Sequence, residues 1–151
     1  MNNNKTLNII KYYHDIDTDV KLADFLEIAR KTIWDYRGNK RNISKVSQLY
    51  AEMIENRVSL GNYRFIINGH IFVLNRVDRI LTKNDKSFKI RKLEVDILET
   101  IVKNKWLSVR KFATQNNKSR YTILNYIKKL NVKTNMFNID KDEVISFIRS
   151  E

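Results

Sequence analysis

The sequence predicts a mainly α protein in which two modules of paired short helices flank a single β-hairpin. Three observations predict it. The stretch KLADFLEIARKTIWDY, Lys21 to Tyr36, returns as KFATQNNKSRYTILNY, Lys111 to Tyr126, at a shift of 90 positions. Apolar residues elsewhere recur mostly at helical spacing. One segment, YRFIINGHIFVLN, instead concentrates β-branched and aromatic residues around Asn68-Gly69. That dipeptide accepts the positive φ angles of a two-residue type I′ turn, so strands are expected at Tyr63–Ile67 and His70–Asn75.

The elements follow in order. Leu7, Ile9, Ile10 and Tyr13 mark a helix over Lys5–His14, broken by DIDTD. Thr18 or Asp19 can accept hydrogen bonds from the free N–H groups of the next helix, Val20–Leu26. A turn over Glu27–Ala29 leads to a third helix ending near Arg37, with Gly38 suited to a left-handed cap. Ser44 caps a helix over Lys45–Asn56, whose apolar side reads Val46, Leu49, Tyr50, Met53 and Ile54. After the hairpin, residues 78–90 are polar, basic and weakly periodic, and are expected to be a linker. Leu93, Ile97, Leu98, Ile101 and Val102 then define an amphipathic helix over Lys92–Lys105, with Trp106 expected to pack between it and the last helices. Ser108 caps Val109–Gln115, NNK turns the chain, and Ser119 caps Arg120–Leu130. Residues Asn131 to Ile139 read as a short strand or wing. Asp140 and Glu143 have the spacing of a capping box before a last helix, Glu143–Arg149. The expected organisation is therefore 1–77, N-terminal module plus hairpin; 78–90, linker; 91–151, basic C-terminal module.

Composition narrows the function classes. The 151 residues carry 29 Lys and Arg against 17 Asp and Glu, a net charge of +12 that favours a polyanionic partner. With no Cys, no thiol nucleophile, disulfide or Cys-ligated zinc is available. With three Gly and no Pro, a Gly-rich phosphate loop cannot be built. MNNNKTLNIIKYYHDID lacks the apolar core of a secretory signal, and no apolar run is long enough to span a bilayer. A cytoplasmic protein is the expectation. His14, Asp15, Asp17 and Asp19 are better read as helix-end groups than as metal ligands. No catalytic set is recognisable, and neither enzymatic activity nor a cofactor is expected.

In the first repeat, Leu22, Ala23, Leu26, Ile28, Ile33 and Tyr36 supply the small contact residue and the apolar lock that hold two short helices at a steep angle. Phe112, Ala113, Ile123 and Tyr126 do so in the second, and SRYTILNYIKKL follows as the second helix of the pair. These residues resemble the helix-turn-helix class of DNA-binding proteins, both the phage-repressor-like type and the resolvase or winged type. The resemblance covers about Thr6–Ile54 and Leu93–Leu130. Glu27 departs from it, standing where Gly is common, as do Asn116 and Lys118 at positions usually apolar. The fold class is then mainly α, two helix-turn-helix modules with one β-hairpin between them.

The resemblance implies binding of double-stranded DNA, with the second helix of a pair in the major groove. Ser119, Arg120, Tyr121 and Asn125 would read base edges, and Arg30, Lys31, Thr32 and Trp34 are their equivalents in the first repeat. Arg110, Lys111, Lys118, Lys128, Lys129 and Lys133 would hold phosphates. Charge favours the second repeat: Met1 to Gly38 holds six basic and six acidic residues, whereas Thr100 to Ile139 holds nine basic and no acidic ones. The expected function is a sequence-specific transcription regulator of a phage or other mobile element, of repressor type. Two alternatives stand beside it: a phage-type inhibitor gripping a host protein or ribonucleoprotein through the N-terminal module or hairpin, and a replication or partition protein. The hairpin could also be a wing, or a homodimer surface using Phe65, Ile67, Ile71 and Val73. If Arg120 reads a base, Arg120→Ala costs about 1–3 kcal/mol on the cognate duplex and relaxes one position, whereas Lys128→Ala weakens all duplexes alike; binding titrations on cognate and random DNA separate the two.

Overall fold

The computed structural model describes residues 1–148. Among them lie seven helices and seven strands, a mixed α/β architecture rather than a mainly α one. They form two compact units. The first comprises Met1–Gly61 with Arg76–Asp78; the second comprises Asn62–Asn75 and the chain from Arg79 onward.

The first unit holds α1 (Asn3–Tyr13), α2 (Asp19–Leu26), α3 (Arg30–Arg37) and α4 (Lys45–Arg57). Asn2 caps α1 and Thr18, not Asp19, caps α2 by accepting from the Lys21 N–H. Leu7, Ile9, Ile10, Leu22, Ala23, Ile33, Ala51 and Ile54 form its core, with Leu26, Ile28 and Tyr36 partly buried against it. Polar groups fix the arrangement. The buried Asn3 amide donates to the carbonyls of Tyr36 (3.1 Å) and Arg41 (2.7 Å) and accepts from the Ile43 N–H (3.1 Å). Arg76 is buried and donates to the Tyr12 hydroxyl (2.9 Å) and to the Ser59 and Gly61 carbonyls. Asp19 accepts from Lys11 (2.9 Å) and from Nε and Nη2 of Arg37 (3.0 Å each), joining α1, α2 and α3.

Two local expectations change here. The left-handed residue after α3 is Asn39, φ 56°, while Gly38 has φ −84°. On α4, Ala51 and Ile54 face the core, and Val46 (77% exposed), Leu49 and Met53 face outward. Of the expected apolar side, Ile54 is buried and Tyr50 packs partly against the core, whereas Val46, Leu49 and Met53 turn to solvent.

The second unit begins with an antiparallel sheet in the order β1 (Tyr63–Ile67), β2 (His70–Asn75), β3 (Ile80–Lys83), β4 (Lys86–Lys89). The Asn68-Gly69 turn has positive φ at both residues, 51° and 76°. The expected linker 78–90 therefore supplies two strands, turned at Asn84 and Asp85, with Asn84 itself at φ 52°. The hairpin belongs with the C-terminal unit rather than with residues 1–77, because its inner face joins that unit's core. Phe65 stacks on Phe72 (5.4 Å) and Phe147 (4.9 Å), and Ile67, Phe72, Leu74 and Leu81 are buried. Strand alternation puts Phe65 and Ile67 on that inner face and Ile71 and Val73 on the other, so the four do not share one dimer surface.

Then come α5 (Lys92–Asn104), β5 (Leu107–Ser108), α6 (Val109–Gln115), α7 (Arg120–Thr134), β6 (Phe137–Ile139) and β7 (Val144–Phe147). The expected last helix is β7, and Arg149 lies outside the described residues. Asp140 does not cap a helix: its carboxylate accepts from the N–H groups of Asp142 and Val144, closing a tight turn between β6 and β7. Trp106 is 48% exposed rather than packed between helices.

Burial raises the Asp19 pKa, but the hydrogen bonds and charges of Arg37 and Lys11 outweigh it and lower the group from 3.8 to about 2. The stabilisation is therefore present above the unfolded value and is lost as pH falls toward about 2. Asp19→Asn is expected to cost about 1 kcal/mol at neutral pH, allowing for solvent screening of a part-exposed carboxylate. Denaturant melts of the two proteins should differ at pH 7 and converge as acid protonates the native Asp19.

Candidate nucleic-acid interface

In the C-terminal unit, α5, α6 and α7 pack around Ile97, Leu98, Ile101, Phe112, Ala113, Ile123, Ile127 and Leu130, all buried. The three-stranded sheet runs β5-β7-β6, so the β6–β7 hairpin closes the unit beside the helix pair. This order, one helix, a short strand, two helices and a hairpin, is a winged helix-turn-helix arrangement. The pair is set by local chemistry. Ser108 caps α6 by accepting from the Lys111 N–H, and Ser119 caps α7 by accepting from the Thr122 N–H (3.1 Å). Between them Asn117 takes φ 53°, and the Lys118 N–H returns to the Ala113 carbonyl (2.9 Å). Asn tolerates this left-handed conformation better than most residues.

The far end of α7 is also held. Lys83 of β3 donates to the Thr134 carbonyl (3.3 Å), a cation placed at the negative end of the helix dipole. Arg91, which precedes α5, lies over the Tyr126 ring and donates to its hydroxyl (3.3 Å). The helix is thus fixed by its buried face, leaving the opposite face open.

That open face carries Tyr121, Asn125, Lys128 and Val132, at spacings of four, three and four residues, all exposed. Tyr121 is 71% exposed. Lys129 lies beside the stripe. Arg110, Lys111, Lys118 and Lys133 are also exposed. No acidic residue occurs on the chain between Glu99 and Asp140. Of the expected base readers, Ser119 is occupied as a cap and Tyr121 and Asn125 lie on the open stripe. Arg120 sits at the flank, where its guanidinium pairs with Glu143 in the β6–β7 turn. Glu143 and the turn around it escaped sequence reasoning, which read Asp140 and Glu143 as a helix start. The signal available was VISF, a run of strand formers directly after the polar DKDE.

The first unit offers a comparable but weaker face. Thr18, Asp24, Glu27 and Ile28 stand 90 positions before Ser108, Thr114, Asn117 and Lys118, and the backbone repeats: Glu27 has φ 56° and the Ile28 N–H returns to the Ala23 carbonyl (3.0 Å). Arg30, Lys31 and Trp34 are exposed on α3, and Thr32 is half-buried. Asp19 is committed to Lys11 and Arg37, and among the described residues no group of three potential metal ligands occurs.

Residues 88–143 match the family model of the M protein trans-acting positive regulator (MGA) HTH domain. The matched span runs from the end of β4 through the helix pair to the β6–β7 turn. It supports a helix-turn-helix DNA-binding regulator, but it is a match neither to the phage-repressor-like nor to the resolvase type, and it covers one of the two helix pairs. No curated protein and no solved structure matches the chain. No helix among the described residues is long and apolar enough to cross a membrane.

Replacing Asn125 by Ala on the open stripe is expected to cost about 1–3 kcal/mol on a preferred duplex and little on random DNA. Lys111→Ala should weaken both alike and reduce the salt slope by about one. Titrations at several salt concentrations measure all four quantities.

Proposed function

We propose that the protein is a sequence-specific transcription regulator that binds double-stranded DNA through its C-terminal unit. In this reading α7 enters the major groove with Arg120, Tyr121 and Asn125 toward the bases. Arg110, Lys111, Lys118, Lys128, Lys129 and Lys133 neutralise phosphates, and the β6–β7 hairpin lies along the flanking backbone. The carrying observation is the exposed, acid-free basic face of α7 on a helix pair that matches a regulator's DNA-binding domain. The proposal assigns no catalytic role.

We further propose that α2 and α3 form a second helix-turn-helix, so that one chain carries two DNA-reading helices. The repeated caps, left-handed residue and returning hydrogen bond support it. Its electrostatic pull is smaller, with 11 basic and 9 acidic residues in the first unit against 18 and 8 in the second. A phage or other mobile element is the setting proposed for it, with action on DNA in the cytoplasm.

A second reading gives the first unit a protein-binding role, in self-association or on a host protein or ribonucleoprotein. The exposed stripe Val46, Leu49 and Met53 favours it.

Selection of duplexes from a random pool at about 150 mM salt, where non-specific attraction is partly screened, tests the proposal. The full chain is expected to enrich one motif, with two separate blocks if both pairs read DNA. Arg30→Ala with Lys31→Ala should then erase one block only. No enriched motif would refute sequence-specific binding, and loss of neither block would refute the role of α3.

A further inference from the structure

Glu143 carries a negative charge on the face that the proposed function turns toward phosphates. Such a charge opposes DNA binding unless it organises something. Its neighbour Asp140 is consumed by the turn, accepting from two backbone N–H groups. The Glu143 N–H donates to the Asp140 carbonyl in that turn (3.1 Å), but its side chain takes no part in the closure. Its backbone nevertheless stands at φ 58°, in the left-handed region, where Gly would meet no Cβ penalty.

What Glu143 gains there is a pair of contacts to the helix pair. Its carbonyl accepts from the Val109 N–H at the start of α6 (3.1 Å), and its carboxylate accepts from Nη1 of Arg120 at the start of α7. One wing residue thus touches the N-terminal ends of both helices. We propose that Glu143 is the positioning residue for Arg120, and through it a determinant of the sequence that α7 selects. This rests on the DNA-binding reading above.

Arg120 is 55% exposed in its side chain and, untethered, would sample many rotamers. Holding it beforehand removes part of the ordering cost that binding would otherwise carry. The carboxylate engages Nη1, leaving the Nε–Nη2 edge with two parallel donors. That edge matches O6 and N7 of guanine. The wing thereby contributes to specificity without touching a base, and the bond from the Val109 N–H to the Glu143 carbonyl anchors the residue that carries the carboxylate.

The test uses the full chain on the duplex that wild type enriches, on that duplex with each guanine replaced, and on a random duplex. Arg120→Ala should weaken binding to the enriched duplex by roughly 5- to 150-fold and flatten preference at one guanine. Glu143→Gln should flatten the same guanine and weaken the enriched duplex by a smaller factor, and the double variant should be no weaker than Arg120→Ala alone. Glu143→Gly, which relieves the backbone, should melt no lower than wild type while losing the same preference, separating positioning from folding. If Glu143→Gln instead tightens every duplex by one common factor, the carboxylate is only a repelling charge and the proposal is overturned. A wild-type chain that enriches no duplex removes the DNA reading and this proposal with it, whereas the uniform tightening removes this proposal alone.

Discussion

The approach of one short helix to the next at an alanine, closed by a left-handed residue, governs the geometry of both helix pairs. The small Ala113 lets α6 pack against α7, while the end of α6 is closed locally by the Lys118 N–H returning to the Ala113 carbonyl, with Asn117 supplying the backbone reversal. A larger residue at Ala113, 4% exposed, would push the helices apart. Ala23, Glu27 and Ile28 repeat the device. In the first unit the reversal falls on Glu27, which bears a Cβ in left-handed space and is supported by the buried Leu22, Ala23 and Ile33 around it. Once the reversal is set, the face of the second helix opposite its core is the one left to solvent.

The two units use polar chemistry differently. In the first, Asn3, Asp19 and Arg76 are spent inward, on carbonyls, ion pairs and a tyrosine hydroxyl. Charges used in that way bind the unit together and are unavailable to a ligand. In the second, the cations of α6 and α7 remain exposed, while Lys83 and Arg91, on elements outside the pair, hold α7 in place. An open basic face on a rigidly held helix is what recognition of a polyanion demands: the cost of ordering has been met before the ligand arrives.

Glu143 links these themes. A helix pair alone fixes the axis of α7 but not the long side chain at its first turn. The wing reaches that side chain from outside the pair. An acidic residue in a strained backbone position, touching two helix N-termini, is hard to account for by folding alone, since the Asp140 turn closes without its side chain.

Local signals were legible in the sequence wherever one short segment carries its own cause. Thr18, Ser44, Ser108 and Ser119 announced helix starts, Asn68-Gly69 announced its hairpin, and the spacing of Leu22, Ala23 and Ile33 with Phe112, Ala113 and Ile123 announced two similar helix pairs. The basic, acid-free window was likewise visible as composition. Pairing between distant segments was not. Residues 80–89 are too polar to declare themselves strands, and become so because Leu81 and Phe88 meet Leu74 and the core across the sheet. Val144 to Phe147 is a strand because β5 and β6 flank it, although Asp140 and Glu143 have a helix-capping spacing. The outward face of α4 and the capture of Arg120 by Glu143 also lay beyond the sequence, because each depends on what stands opposite a side chain. Spacing along the chain records hydrogen-bond opportunities within a few residues; only the folded chain decides which surfaces meet and which cations are left free to bind.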